Sequence, residues 1–150
     1  TLGKALGASG AFVAGSWLLR RWLWNGARSF VFSTGIAPAL AAALPARIDR
    51  VAAMTDERRH LELLCRDARA ALGSLIPAAS QGPIVPVIIG DSEAALTASR
   101  RVAERGFLVR AIRPPTVPDG TARLRLTLRA SLSAATAARG SQAVLHALEP

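Results

Sequence analysis

The sequence is poor in the residues from which many active sites are built. It has one cysteine, Cys65, which excludes an internal disulfide and cannot make a metal site by itself. Its two histidines, His60 and His146, stand at no metal-ligand or triad spacing and read as surface or helix-face residues. Paired carboxylates and a glycine-rich phosphate loop of the nucleotide type are both absent, and Asp91 and Glu93 read as helix-start residues. The apolar stretch Ala8–Leu19 is too short to span a bilayer and runs into Arg20 and Arg21. A membrane-surface helix around Trp17, Trp22 and Trp24 is a weaker reading than burial of these rings at a subunit or domain contact. With no disulfide framework and no export signal, the cytoplasm is the expected compartment.

Lysine is almost missing too. The formal net charge is +9, from 19 basic and 10 acidic residues, yet Lys4 is the sole lysine. Such a charge raises nucleic acid as a partner. The arginines are scattered, however, with pairs only at Arg20/Arg21, Arg58/Arg59 and Arg100/Arg101, and few aromatics are interleaved with them. No nucleic-acid partner is expected. Some arginines could instead meet the phosphates of coenzyme A.

The isolation of Lys4 makes it the residue to explain. It stands in Thr1-Leu-Gly-Lys-Ala-Leu-Gly7, an amine between two glycines, where the backbone can turn tightly and approach a cofactor aldehyde. By themselves these seven residues read rather as an exposed amine in a flexible, glycine-rich start. The remaining 143 residues give the motif its context.

Ala11–Ala14 is expected to form a buried strand leaving the lysine turn, with Ser16 capping a short helix through Leu23. Phe30–Phe32 reads as a second short strand. Pro38 opens an alanine-rich helix that Pro45 is expected to break or bend. From Asp56 to Leu72, the residues Leu61, Leu64, Cys65, Ala68 and Leu72 recur at the steps of one helical face, and Gly73 is the expected stop. A strand Ile84–Ile89 follows, then a helix capped by Asp91 or Ser92 and ending at Arg105-Gly106, then a strand Phe107–Ile112. Pro114, Pro115 and Pro118 stiffen the next connection, and Asp119-Gly120 turns the chain. Arg123–Arg129 alternates with a period of two, sending Leu124, Leu126 and Leu128 to a core and Arg123, Arg125 and Thr127 away from it. A final helix runs to about Leu148. The fold class is α/β. Residues 1–50 read as the end of a larger cofactor-binding domain, and 51–150 as a small α/β domain with helices packed on an antiparallel or mixed sheet.

Three motifs in order, Thr1–Ser16 around Lys4, Phe32-Ser33-Thr34, and Ala111–Leu128 with its Ile-Arg-Pro-Pro-Thr-Val-Pro core, resemble the second half of the α-oxoamine synthases. These are pyridoxal-phosphate enzymes of fold type I. The Ile-Arg-Pro-Pro-Thr-Val-Pro stretch favours the member that condenses L-alanine with a pimeloyl thioester, on coenzyme A or an acyl carrier, in biotin synthesis. The resemblance implies that Lys4 carries pyridoxal phosphate as a Schiff base and later moves the substrate α-proton. It implies that the Thr1 hydroxyl approaches the cofactor, and that Ser33 and Thr34 reach the cofactor phosphate of a neighbouring subunit, making a homodimer with shared active sites. Arg125 would anchor the substrate carboxylate through its two-donor fork, and Thr116 would help orient the substrate. Read without the resemblance, Thr1 is a frayed terminus, Phe-Ser-Thr a strand end, Arg125 a solvated strand residue and the Thr116 loop a connector.

The resemblance fades after Leu128, where Arg129-Ala-Ser-Leu-Ser133 replaces the usual threonine, small residues and histidine, so no role for that histidine carries over. The acidic partner of the pyridine nitrogen and the residue stacked on the ring would precede Thr1. The chain therefore reads as the C-terminal portion of a longer enzyme, inactive alone. The alternatives are a glycine-using sister enzyme and a non-catalytic remnant acting as an interaction module.

Overall fold

A computed structural model describes residues 1–149, which fall into two compact units, Thr1–Met54 and a second that begins at Thr55. The first opens with a closed loop. Leu2 N–H donates to Gly10 O at 2.9 Å, Ala8 N–H to Leu2 O at 2.9 Å, and Gly7 N–H to Lys4 O at 3.0 Å, while the Leu2 side chain is fully buried. Three helices follow: α1 (Trp17–Gly26), α2 (Arg28–Val31) and α3 (Pro38–Ala53). The Ser16 hydroxyl accepts the Leu19 N–H at 3.2 Å, the side-chain cap that starts α1. Pro38 sits in the first turn of α3, where its missing N–H leaves no bond unmade.

Three expectations for this unit need correction. Ala11–Ala14 is not a buried strand: it lies outside helix and strand, with Phe12 and Val13 exposed. A strand needs a neighbour for its N–H and C=O groups, and Thr1–Met54 contains no other strand. For the same reason Phe30–Phe32 is not a strand. Its N–H groups turn to local carbonyls, Phe30 and Val31 to Ala27 O and Phe32 to Arg28 O, giving the single turn of α2. Nor does Pro45 divide α3 in two, since proline removes one backbone bond and the turns on either side remain helical.

The second unit sets three helices and a three-stranded sheet around one core. Its elements are α4 (Thr55–Leu72), a short 3-10 turn (Gly73–Leu75), β1 (Ile84–Gly90), α5 (Ser92–Glu104), β2 (Arg110–Ile112), β3 (Ala122–Thr127) and α6 (Ala134–Leu148). The sheet is antiparallel throughout, in the order β1-β3-β2. Alternation then sorts the side chains. Val85, Val87, Leu124 and Leu126 are buried on one face with Leu64, Ala98 and Val144 from the three helices. Helices α4 and α5 pack on the sheet, and α6 packs on α4 and α5. Burying each large aliphatic side chain contributes about 1.5–3 kcal/mol.

Specific polar contacts fix the edges of this core. Asp91 rather than Ser92 caps α5, its carboxylate accepting the Ala94 N–H at 2.8 Å. His60 Nε2 lies 2.8 Å from Leu132 O, tying α4 to the segment before α6, so this histidine is a half-buried residue of a helix face. Arg69 Nη2 donates to Gly82 O at 2.5 Å and holds the approach to β1. Strand β2 is half the expected length. The Val109 carbonyl is taken by the Ser99 hydroxyl of α5 at 2.6 Å, and the Phe107 N–H by Val102 O at 3.3 Å, so neither serves the ladder.

Candidate active site

In the first unit, Lys4 lies in the loop closed between Leu2 and Gly10. Its side chain is exposed and has no hydrogen bond or ion pair among the described residues. Gly7, with φ of +55°, supplies the turn that follows it. The loop also approaches the segment after α2. Gly10 has φ of +94°, and a methyl group there would lie 2.7 Å from Ile36 Cγ2. Only glycine permits that contact, which brings Gly10 against Ile36. Thr1, Ser33 and Thr34 are all exposed. The Ser33 hydroxyl donates back to Ser29 O at 2.5 Å, which leaves its oxygen lone pairs open as acceptors.

Sequence reasoning missed Arg47. From α3 its Nη1 donates to Leu6 O at 3.0 Å and Gly7 O at 2.9 Å, across forty residues of chain. No periodicity or motif marks such a bond; only the folded loop presents two adjacent carbonyls to one guanidinium.

In the second unit, Arg125 stands at the centre of β3, on the face opposite the core. Its Cα partners are Pro86 on β1 and Arg110 on β2. Both arginines are exposed and neither guanidinium has a hydrogen bond or ion pair among the described residues. Thr116 is exposed in the proline-rich connection, its N–H donating to Arg113 O at 3.0 Å in a turn. Arg110 is the second residue the sequence did not single out. Its place beside Arg125 follows from strand register.

An exposed amine with no hydrogen-bond partner suits an aldehyde cofactor, to which it can bond covalently, and exposed hydroxyls such as those of Thr1 and Thr34 can donate to phosphate oxygens. Among the described residues there is no group of three or more His, Cys, Asp or Glu placed to hold a metal ion. No described helix is long and apolar enough to cross a membrane.

The architecture is that of the fold type I pyridoxal-phosphate transferases. A serine palmitoyltransferase from Sphingomonas wittichii superposes with a TM-score of 0.87 over 98% of this chain and 38% of its own, at 25% identity. An 8-amino-7-oxononanoate synthase from Francisella tularensis superposes with a TM-score of 0.81 over 95% of this chain and 42% of its own, at 20% identity, a likeness of fold. The chain belongs to the aminotransferase class I and II family, whose model matches residues 1–144. Two curated relatives are named 8-amino-7-oxononanoate synthase. That of Marinobacter nauticus is 48% identical over 87% of this chain, and that of Aromatoleum aromaticum 46% identical over 96%. The chain spans 34% and 38% of their lengths.

Proposed function

We propose that this chain is part of a pyridoxal-phosphate-dependent C-acyltransferase of the 8-amino-7-oxononanoate synthase type, condensing L-alanine with a pimeloyl thioester and releasing carbon dioxide, in biotin synthesis. The observation that carries the reading is the agreement of relatives 46–50% identical to the chain, eight of which bear that one name. The solitary lysine in its glycine loop supports it independently. Residues 1–50 then end the cofactor-binding domain and 51–150 form the small domain. The reading includes a homodimer working in the cytoplasm.

When bound, pyridoxal phosphate supplies an electron-accepting ring in conjugation with the amino acid Cα. The chain supplies the rest. Lys4 Nζ holds the cofactor between turnovers and, once freed, takes the proton from Cα and later returns one. Its two flanking glycines let the backbone come close without a side chain in the way. Thr1 and Thr34 would offer hydroxyl donors to cofactor oxygens, Thr34 to those of the partner subunit, and Ser33 would join it there by turning its hydroxyl from Ser29 O. Arg125 would hold the alanine carboxylate through two parallel N–H groups and so limit how the substrate can turn. Thr116, held by a proline-stiffened loop, orients the same substrate.

Borohydride trapping with pyridoxal phosphate, followed by peptide mapping, tests the place given to Lys4. In a full-length protein containing this sequence, one stable adduct at Lys4 is expected, absent in Lys4→Ala. Product analysis should give 8-amino-7-oxononanoate with alanine. Turnover of glycine in preference to alanine would assign the chain to a sister enzyme, and no adduct would sink the reading.

A further inference from the structure

Among the described residues, the side-chain hydrogen bonds that reach the Lys4 loop from outside come from one residue. Its internal bonds, Leu2 to Gly10, Ala8 to Leu2 and Gly7 to Lys4, close it as a ring of backbone but leave the carbonyls of Leu6 and Gly7 turned outward. No backbone N–H reaches either one. Arg47 Nη1 meets both, at 3.0 and 2.9 Å, one nitrogen serving two acceptors with its two hydrogens. Bonds from a charged donor are among the stronger ones available to a backbone carbonyl. The match is reciprocal at Gly7. A methyl group on Gly7 would stand 3.3 Å from Arg47 Nη1, and its φ of +55° disfavours any side chain. Arg47 belongs to the 16-residue helix α3, a far stiffer support than the loop itself.

We infer that Arg47 is a positioning residue for Lys4: it clamps the outward carbonyls after the lysine and so fixes the direction from which the amine leaves the loop. The inference rests on the reading of Lys4 as the cofactor lysine, and its consequence is for how often Nζ points where an aldehyde can meet it. Loops without such ties sample many backbone states, and each competes with the productive one.

Two measurements on the full chain separate the clamp from the chemistry. Amide hydrogen exchange by NMR reports the clamp alone. In Arg47→Ala, exchange at Gly7 and Ala8 should quicken about five- to ten-fold, the scale of one lost net hydrogen bond, while amides of α5 and α6 hold steady. Arg47→Lys, which keeps a charged donor, should restore part of the protection. Borohydride trapping of pyridoxal phosphate reports the chemistry, with labelling at Lys4 read by peptide mapping against the parent protein. Lys4 labelling should fall several-fold in Arg47→Ala, taken as a ratio to the parent protein. Unchanged exchange at Gly7 and Ala8, or an equal rise across α3, overturns the clamp. Quickened exchange with an unchanged labelling ratio overturns its positioning role. Absence of Lys4 labelling in the parent chain counts against the cofactor reading, and the exchange data still judge the clamp.

Discussion

Arg110 lies directly opposite Arg125 across the β2–β3 ladder, two exposed guanidinium groups on one face of the sheet with no acidic neighbour between them. Like charges at paired positions of an antiparallel ladder repel, and solvent screens much of the effect. Arg110→Gln keeps the length of the side chain and removes the charge. It should raise the urea midpoint slightly at low salt, by roughly 0.5 kcal/mol or less, with the gain fading near 1 M salt. A loss of stability at low salt would mean that Arg110 has an acidic partner after all.

The same pair shows where the sequence was readable. Alternation from Arg123 to Arg129 was enough to place Leu124, Leu126 and Leu128 inside and Arg125 outside, because a period of two needs no knowledge of the neighbouring strand. That Arg125 faces Arg110 depends on register, which nothing local in β3 encodes. Helices α4 and α5 were legible from spacing and cap chemistry. The segments around Phe12 and Phe30–Phe32 were not, because apolar runs of three or four residues take their structure from whatever pairs with them. Lys4 stood out by scarcity, Arg47 by nothing at all until two carbonyls came into its reach.

Strand β2 is short because Ser99 claims a carbonyl at its entrance. Ser99→Ala would remove the 2.6 Å bond to Val109 O and leave that partly buried acceptor unpaired. A loss of about 1–3 kcal/mol in urea unfolding is expected. Thr97→Ala, two residues earlier in α5 and with a hydroxyl that accepts from exposed Arg100, should stay within about 0.5 kcal/mol of the parent chain. Equal effects from the two would remove the special place given to Ser99.

Arg125 offers the sharpest kinetic prediction. If its fork holds the amino-acid carboxylate, Arg125→Gln in the full-length enzyme should lower kcat/KM for alanine by about 10–150-fold, the scale of a lost charge-assisted hydrogen bond. Arg125→Lys should recover only part, since an ammonium cannot reproduce two parallel donors. Borohydride trapping at Lys4 should be unaffected by either change. A fall in KM-independent steps alone, with alanine binding intact, would remove Arg125 from the substrate.

Gly10 meets two constraints at once, and they can be separated. Its φ of +94° strains any residue with a Cβ, and a Cβ there would stand 2.7 Å from Ile36 Cγ2. Gly10→Ala should therefore open the loop at its closing bond, seen as faster exchange of the Leu2 amide, with a cost of about 1–3 kcal/mol. Adding Ile36→Ala removes the steric conflict and leaves the backbone strain. Partial recovery of Leu2 protection in the double variant is the expected result, because only one of the two penalties is relieved. Full recovery would make the contact with Ile36 the whole reason for glycine. No recovery would make φ the whole reason, and the approach of the lysine loop to the Ser33–Ile36 segment would then contribute nothing to its closure.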